Sequence, residues 1–332
     1  MRIIHCSPFN IITKTGGSLY ANPVKISQGL IQNNHYVHNF DYRDTSRYMS
    51  FLRNKKNGTA KMNQFFLDLV DDINPDLIIF GHAELIEEET FEYIKRKNIK
   101  MIYWYNDVPI QTYFKKIAHY FEFVLTTAGG EFIEDLKHHN KEVYFLPNLV
   151  DENIEKYKGY KNSTFQSDVV FTGRADTERE ALIEYLNQNL DLNIKTKFIG
   201  FDKKSVLIGD KYLQALANSK IAINHNRDFT LKYEWYTSDR LFHILGNGSF
   251  ALSTKIINGE DFFEDKLEYY TSYEELTSKI EYYLKNEKER IEKASWLRQR
   301  VHTLFNSQRV ANYILSLYTQ DMNGLKKYEW YR

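Results

Sequence analysis

Residues 233–254, YEWYTSDRLFHILGNGSFALST, join a helix pattern to a strand pattern through a glycine break. Ser238 or Asp239 can cap the start of the helix, and Gly246 and Gly248 are suited to end it. The apolar side chains between them recur with the spacing of one helix face, which predicts that this face packs in a core. The run after the glycines reads as a buried strand.

Three polar residues in this stretch are predicted to share one face of the helix. Arg240, His243 and Asn247 are three and four residues apart, and such spacings place side chains in one row along a helix. Glycines beside this row would let a ligand approach the backbone closely. We therefore expect a binding edge that includes Arg240 and His243, with Gly248 and Ser249 next to them.

Length and composition limit the class of protein. The chain has 332 residues, enough for two domains of ~150 residues each. Lysine plus arginine equals aspartate plus glutamate, at 44 each, so the overall charge favours neither nucleic acid nor an anionic membrane. Cys6 is the only cysteine, which excludes a disulfide framework within one chain. No apolar run approaches the ~18 residues of a membrane span, and we expect a cytoplasmic protein.

Short apolar runs alternate with helical patterns along the chain. This alternation predicts an α/β fold, with parallel sheets covered by helices on both faces. The first series of predicted strands comprises residues 2–6, 76–81, 101–105, 121–126 and 143–146. The second comprises residues 168–172, 196–200, 220–224, 249–252 and 268–270. A helix is predicted over residues 18–32 and a loop over residues 42–61.

A polar segment, residues 147–166, separates the two series of strands. We therefore predict one domain over residues 1–150 and another over residues 151–306, each with its own core. Residues 307–332 form a further segment with an apolar helical stripe.

Residues that directly follow strands are candidates for ligand binding, because open α/β sheets bind ligands beyond the carboxyl ends of their strands. Gly173 and Arg174 follow one strand and precede a predicted helix, where free amides and a guanidinium can bind phosphate. The alternative for Arg174 is a surface arginine that pairs with Glu178. Arg179 is expected to be a surface residue of this kind.

Two further groups of polar residues follow strands. Asn224, Asn226 and Arg227 could hold the base or sugar of a nucleotide ligand, or the asparagines could instead satisfy loop backbone groups. In the first domain, His82 and Asp107 follow neighbouring strands, and either could accept a proton from a hydroxyl group. The alternative for Asp107 is a turn carboxylate that precedes a proline.

Several of these segments together resemble GT-B glycosyltransferases. Residues 240–254, residues 259–263 (GEDFF) and the helix start at residues 273–276 (YEEL) resemble the C-terminal signature of that family, in particular of its CgeB-like, spore-maturation group. Residues 104–109 (WYNDVP) resemble the Trp-x-x-Asp-x-Pro element of the group. His243 departs from the pattern, since relatives have a glutamate there that holds the donor ribose.

The resemblance implies two Rossmann-like domains that face each other across a cleft, with residues 307–332 returning to the first domain. It implies that Asp107 and His82 are the catalytic candidates, and that Gly16 and Gly17 form the acceptor-side loop. The second domain would bind a nucleotide-sugar donor through Gly173, Arg174, Asn224, Asn226, Arg227, Arg240, His243, Gly248 and Ser249.

The implied activity is transfer of a sugar from a nucleotide-diphosphate sugar to a hydroxyl of a glycan, lipid-linked or protein acceptor, by inversion or retention. The sequence has no Asp-x-Asp motif, so we expect neither a metal nor a cofactor other than the nucleotide-sugar. Peripheral contact with a membrane fits this activity, and no nucleic acid partner is expected. The alternatives are a nucleotide-sugar epimerase of the same fold and, because His243 replaces the glutamate, a noncatalytic nucleotide-sugar-binding subunit.

Overall fold

The computed structural model describes residues 1–106 and 108–332, and it divides into two compact units. One unit comprises Met1–Pro147 and Ser307–Arg332, and the other comprises Asn148–Asn306. Each unit is built on its own sheet, with six strands in the first and five in the second. All described strand pairs are parallel, which confirms the predicted α/β fold class.

The sheet of the first unit has the strand order β2-β1-β3-β4-β5-β6. Its strands are β1 (Arg2–Cys6), β2 (Tyr36–Phe40), β3 (Leu77–Gly81), β4 (Lys100–Tyr105), β5 (Val124–Thr126) and β6 (Val143–Phe145). The helices between them are α1 (Asn22–Gln32), α2 (Tyr42–Tyr48), α3 (Thr59–Ile73), α4 (Glu88–Arg96), α5 (Thr112–Ile117) and α6 (Glu131–Lys137). Every residue of β3 is buried, as expected of a central parallel strand covered on both faces.

Strand β2 has no counterpart among the predicted strands. It reads Tyr-Val-His-Asn-Phe, and only Phe40 is fully buried. The strand lies at the edge of the sheet, where polar and exposed side chains are tolerated. The continuous apolar run that indicates a central strand is therefore absent.

Two local predictions in the first unit are wrong. Helix α1 begins at Asn22 and not at Ser18, because Pro23 occupies its first turn, where a missing backbone N–H costs nothing. The predicted loop over residues 42–61 contains α2, which is capped by Asp41 through a 3.0 Å bond from the backbone N–H of Asp44. Only residues 49–58 of that segment form a loop.

The sheet of the second unit has the strand order β11-β10-β9-β7-β8. Its strands are β7 (Ser167–Thr172), β8 (Thr196–Ile199), β9 (Ser219–Asn224), β10 (Phe250–Thr254) and β11 (Glu268–Tyr270). Its helices are α7 (Thr177–Asn189), α8 (Asp210–Ala217), α9 (Asp239–Gly246), α10 (Glu260–Phe263), α11 (Tyr273–Lys285) and α12 (Glu287–Leu304). The predicted core residues Leu241, Phe242 and Leu245 of α9 are buried.

The last part of the chain belongs to the first unit, where α13 (Ser307–Thr319) packs on α1 and is followed by α14 (Met322–Leu325). A Cβ atom at Gly29 would collide with the carbonyl group of Ser307, so the two helices approach closely because residue 29 is glycine. Arg309 lies over the rings of Tyr328 and Trp330, 5.1 Å from each centroid, and so holds the end of the chain. Among the described residues, no helix is both long and apolar enough to cross a membrane.

Candidate functional site

Polar side chains from three segments of the second unit meet at the carboxyl ends of β7 and β9. Gly173 follows β7 directly, and a Cβ atom there would lie 3.4 Å from Cδ of Arg179 and 3.4 Å from a guanidinium nitrogen of Arg240. Asn224 ends β9, and its side-chain oxygen lies 3.2 Å from Nε of Arg240. Because β7 and β9 are neighbouring strands, the sheet brings these groups together at one edge.

Arg240 is buried in the first turn of α9, with only 7% of its surface exposed. Its guanidinium donates to the carbonyl oxygens of Thr172 and His225, at 2.6 Å each, and to Asn224. It also lies over the ring of Phe171, 5.3 Å from the centroid. These three hydrogen bonds end on neutral oxygen atoms, so they fix the position of the charge without neutralising it.

Arg179 lies beside Arg240 and not on the surface, contrary to the prediction. Its side chain is only 13% exposed and lies 3.4 Å from Asp176. The carboxylate of Asp176 also caps α7 by accepting the backbone N–H of Arg179 at 3.0 Å. The start of α7, which is predicted to bind phosphate through its free amides, is therefore already occupied by the carboxylate of Asp176. The guanidinium of Arg179 is the stronger candidate for binding phosphate.

Arg240, which is buried, and Arg179, whose side chain is 13% exposed, carry positive charges close to each other, and in the part of the chain that the structure describes only Arg179 pairs with a carboxylate, that of Asp176. Burial, followed by the positive charge of Arg179, lowers the pKa of Arg240 to about 10. Burial likewise lowers the pKa of Arg179, although Asp176 opposes the shift. Both guanidinium groups stay protonated near neutral pH. An anion placed between them would relieve their mutual repulsion and form charge-assisted hydrogen bonds.

Arg174 and Arg227 lie further from the centre of this edge. Arg174 is exposed, and Glu178, its alternative partner, instead accepts the backbone N–H of Asp228 at 3.2 Å. Arg227 is 44% exposed and lies 3.1 Å from the carboxylate of Asp176. The carboxylate of Asp176 thus connects Arg227 with the more deeply buried Arg179.

Three buried polar atoms at this edge have no hydrogen-bond partner within the described part of the chain: Nε of Arg179, Nε2 of His225 and Oδ1 of Asn226. Nδ1 of His225 is hydrogen bonded to the hydroxyl of Tyr270 at 2.9 Å. Burial, followed by the charge of Arg240, lowers the pKa of His225 to about 4, so the imidazole is neutral at pH 7. Buried polar atoms without partners are costly, and their concentration here favours a bound polar ligand.

His243 lies one turn beyond Arg240 along α9 and is 2% exposed. Its Nδ1 atom is 3.2 Å from the hydroxyl of Tyr212, a residue of α8. Asn247, the third member of the predicted row, accepts the backbone N–H of Tyr157 at 3.3 Å and donates to the carbonyl of His243 at 2.8 Å. The row exists as predicted, but Asn247 supports the fold, and Arg240 is the member at the sheet edge.

Gly248 and Ser249 precede β10 and so lie at the amino edge of the sheet. The carbonyl of Gly248 accepts the backbone N–H of Tyr160 at 2.8 Å, and the hydroxyl of Ser249 donates to the carbonyl of Leu216 at 2.9 Å. Helix α9 starts at the carboxyl edge and runs back to the amino edge, so the glycines at its end are opposite its start. The structure does not bring Gly248 and Ser249 together with Gly173.

In the first unit, His82 lies in a strained turn directly after β3. His82 and Ala83 have φ angles of +65° and +62°, which are costly for residues other than glycine. Tyr103 donates to the carbonyl of His82, and the backbone N–H of Ala83 donates to the hydroxyl of Tyr42 at 3.1 Å. The two tyrosines hold the strained backbone, which keeps His82 at the carboxyl edge of the first sheet.

Glu84 connects this turn to α2 and to the loop after it. Its carboxylate accepts Tyr42 and Arg43, the latter at 2.6 Å, and lies 3.7 Å from Nζ of Lys55. Burial would raise the pKa of Glu84, but the hydrogen bonds from Arg43 and Tyr42 outweigh it and lower the pKa to about 2. The ionised carboxylate therefore anchors residues 42–55 beside His82.

The remaining candidates of the first unit lie near the same edge. Gly16, in the loop after β1, is exposed with a φ angle of +77° and no atom within 4 Å of its Cβ position, whereas Gly17 is buried. The hydroxyl of Ser7 and the indole N–H of Trp104 are buried without a hydrogen-bond partner among residues 1–106 and 108–332. Asp107 lies outside the described residues, so its role stays a prediction.

Comparisons with known proteins show what this architecture is similar to. Residues 176–316 match a family model described as glycosyl transferase-like. A sucrose-phosphate synthase from Thermosynechococcus elongatus is 12% identical, with a TM-score of 0.62 over 97% of this chain and 100% of that one. An α-glucosyltransferase in complex with UDP-glucose and DNA containing an abasic site is 12% identical, with a TM-score of 0.68 over 96% and 99%. Anabaena HepE in complex with UDP and glucose is 12% identical, with a TM-score of 0.61 over 96% and 100%.

No curated protein matches the chain by sequence. The structural neighbours are too distant in sequence to establish more than the fold, but they agree with the two parallel sheets and with the family match, which lies mostly in the second unit. The chain therefore has the GT-B fold, and residues 176–316 are similar to the glycosyl transferase-like family.

Proposed function

We propose that the protein transfers a sugar from a nucleotide-diphosphate sugar to an acceptor hydroxyl, and that the donor diphosphate binds between Arg179 and Arg240. The observation that carries this proposal is the pair of guanidinium groups next to Gly173, of which that of Arg240 is buried and that of Arg179 belongs to a side chain only 13% exposed. Glycine leaves room there for a ligand, since its missing Cβ would lie in contact with both arginines. Bidentate, charge-assisted hydrogen bonds are the strongest that a protein can offer a diphosphate.

The same residues suit the chemistry of transfer. The acceptor oxygen forms a bond to the anomeric carbon while the bond from that carbon to the diphosphate breaks, so negative charge builds on the leaving group. Fixed positive groups stabilise this charge without reorganising during the reaction. We therefore propose that Arg179 and Arg240, assisted by Arg174 and Arg227 at the rim, take the role that a metal ion has in other transferases.

The unpartnered atoms of His225 and Asn226 are proposed to bind the donor sugar or its phosphates. A neutral imidazole nitrogen and an amide oxygen are suited to hydroxyl groups of a sugar. Since two of the structural neighbours hold UDP or UDP-glucose, a uridine nucleotide is the first donor to test. His243, buried against Tyr212, is proposed to support Arg240 and not to contact the ribose.

Asp107 and His82 are proposed as the alternatives for the base that removes the acceptor proton in an inverting reaction. The support for His82 is its fixed, strained position after β3, and the support for Asp107 is the sequence element around it. The acceptor is proposed to be a glycan, a lipid-linked molecule or a protein. Membership of the CgeB-like group and a cytoplasmic location also remain proposals, based on the signature of residues 240–254 and on composition.

A thermal-shift series with UDP, GDP and ADP in the presence of EDTA tests the donor site. At least one nucleotide is expected to raise the melting temperature, because a ligand that binds only the folded state stabilises it. Arg179→Ala should remove this shift, whereas Lys288→Ala, an exposed cation at the start of α12, should keep it. If no nucleoside diphosphate or nucleotide-sugar shifts the melting temperature, the proposed function is wrong. A shift that EDTA abolishes would contradict metal independence.

A further inference from the structure

The balanced overall charge conceals a strongly basic N-terminal region. Residues 1–67 contain nine lysines and arginines but only two acidic residues, Asp41 and Asp44. Both carboxylates are buried and accept backbone N–H groups. Residues 45–67 contain five cationic side chains and no acidic one. Lys25 is buried, and Arg43, Arg47 and Lys55 pair with Glu84 or Asp44. The other five cations still give this region a positive surface, whereas the rest of the chain has an excess of acidic residues.

Large apolar side chains are exposed within this positive region. Phe51 is 100% exposed and Leu52 is 76% exposed, and both belong to the loop between α2 and α3. Tyr48, at the end of α2, is 50% exposed and lies under Arg53, 5.2 Å from its ring centroid. Fully exposed neighbouring apolar residues are unusual on a protein surface and indicate a contact site.

A second exposed apolar pair lies at the other end of α2. Ile11 and Ile12 are 54% and 47% exposed. The backbone N–H of Ile12 donates to the carboxylate of Asp44 at 2.8 Å, so α2 carries this loop as well. Helix α2 has seven residues and a length of about 10 Å, so it holds the two apolar pairs near each other, and we group them with the neighbouring cations as one surface. We call it the basic apolar surface, and its members are Ile11, Ile12, Tyr48, Phe51, Leu52, Arg53 and Lys56.

The basic apolar surface is fixed next to the candidate acceptor residues. Helix α2 follows the carboxyl end of β2, and the loop of Ile11 and Ile12 follows β1. Glu84, two residues after His82, binds Arg43 and Lys55 and so holds the segment at this edge. The hydroxyl of Ser46 donates to the carbonyl of Lys55, which folds the loop back on α2. An acceptor hydroxyl near His82 would therefore lie close to whatever covers this surface.

We propose that the basic apolar surface docks on an anionic lipid membrane, and that the acceptor is presented at that membrane. The location of the acceptor at the membrane rests on the proposed function, whereas the docking of the surface on the membrane does not depend on it. Cations with exposed aliphatic and aromatic side chains match a lipid surface, because anionic headgroups attract the cations and the acyl boundary buries the apolar groups. Nucleic acid would bind the cations and stack on aromatic rings, but it offers no apolar environment that would bury the aliphatic side chains of Leu52, Ile11 and Ile12.

Sedimentation with lipid vesicles tests the docking. The full chain is expected to bind vesicles of phosphatidylcholine mixed with phosphatidylglycerol, to release them at high salt and to ignore vesicles of phosphatidylcholine alone. Phe51→Ser combined with Leu52→Ser should weaken binding by about ten-fold or more, since it removes the buried apolar groups. Arg53→Ser combined with Lys56→Ser should weaken it by about ten-fold through the lost charge.

Leu192→Ser is the matched control, because Leu192 is 97% exposed but lies in the second unit, outside the basic region. It should bind vesicles like the parent protein. All variants should melt at the parent temperature, since the substituted side chains are exposed, and should keep their affinity for UDP.

No binding to anionic vesicles, or equal binding by the Phe51 and Leu52 double variant, would overturn the proposal. Tight binding to duplex DNA without vesicle binding would also overturn it, in favour of nucleic acid. If the parent protein binds vesicles but neither UDP nor another nucleoside diphosphate or nucleotide-sugar, the proposed function is contradicted and the docking is not.

Discussion

The carboxyl edge of the second sheet is lined by buried charged and polar side chains, whereas that of the first sheet is covered by exposed loops. At the second edge, Arg240 is 7% exposed and its guanidinium is fixed by hydrogen bonds. At the first edge, Phe51 is fully exposed and Gly16 has no neighbour within 4 Å of its Cβ position. The difference indicates one edge built for a ligand of fixed chemistry and another that adapts to its partner.

The family match follows the same division. It covers residues 176–316, which include most of the second unit and the start of the last segment of the first unit, but none of the first 147 residues. A buried site restricts the residues that can form it, because each buried polar group needs a partner. Exposed loops are not restricted in this way, so a sequence pattern for them is harder to define.

The largest expected effect concerns the proposed catalytic base. Asp107→Asn should slow transfer by about 10²- to 10⁴-fold, the usual contribution of general acid-base catalysis, and should leave nucleotide affinity unchanged. Turnover with a verified donor and acceptor, together with calorimetry, measures both quantities. His82→Ala is the comparison, since the strained turn keeps His82 at the carboxyl edge of the first sheet. Transfer at the parent rate by Asp107→Asn would remove Asp107 as the base, and small effects at both positions would favour retention.

At the second edge, Arg179→Ala is expected to weaken nucleotide binding by about 1.5 to 3 kcal/mol, the scale of a hydrogen bond to a charged group. Calorimetry in EDTA would show this as a rise in Kd of about 10- to 150-fold. Arg179→Lys keeps the charge but loses the bidentate geometry, so it should recover part of the affinity. Equal affinities for the parent and the alanine variant would remove Arg179 from the donor site.

Glu84→Gln should destabilise the first unit through the loss of the contacts with Tyr42 and Arg43. The pKa of Glu84 lies below its ordinary value of 4.5, at about 2, so its carboxylate stabilises the folded protein at neutral pH. A shift of this size corresponds to about 3 kcal/mol, which partial exposure of the carboxylate reduces to about 2 kcal/mol, and this contribution is lost as the pH falls from 4.5 toward 2. Urea unfolding should therefore separate the parent from the variant at pH 7 but much less at pH 3. Glu89→Gln, on an exposed position of α4, should match the parent, and a pH-independent difference at Glu84 would contradict this account.

Gly16→Ala should have the smallest effect on stability, about 1 kcal/mol, because a positive φ angle disfavours alanine. No steric collision adds to this cost, since no atom lies within 4 Å of the added Cβ. If the loop contacts the acceptor, KM for the acceptor should rise while KM for the donor stays constant. A change in donor KM alone would place this loop outside the acceptor side.

Strands β7, β9 and β10 of the second unit could be predicted from the sequence because their centres are buried apolar runs. The cap of α11 could be predicted as well, since Ser272 accepts the backbone N–H of Glu275 as its spacing indicates. Strand β2 and helix α2 could not, because both are short and polar, and α2 depends on the cap that Asp41 provides. Periodicity detects elements with a wide apolar face and misses those held by single side chains.

Within the candidate site, the sequence pattern correctly indicates the helix that carries Arg240, but not the low exposure of Arg179 or the position of the glycines before β10. Arg179 occupies the first turn of a helix, a position that is usually exposed, but its side chain is only 13% exposed and lies next to Gly173, as Arg240 does. His225 stands between two asparagines that were predicted to bind the donor, but its unpartnered Nε2 atom became evident only with Tyr270 in place. Gly248 follows Arg240 closely in sequence, but α9 lies between them, so Gly248 is at the amino edge of the sheet and Arg240 is at the carboxyl edge.

The most direct test of the account is a crystal structure of the protein with bound UDP. The diphosphate oxygens should lie within hydrogen-bonding distance of the guanidinium groups of Arg179 and Arg240, next to Gly173. No metal ion should bind with them. The Nε2 atom of His225 or the Oδ1 atom of Asn226 should then have a partner. A diphosphate bound at the amino edge, beside Gly248 and Ser249, or bridged to the protein only through a metal would contradict it.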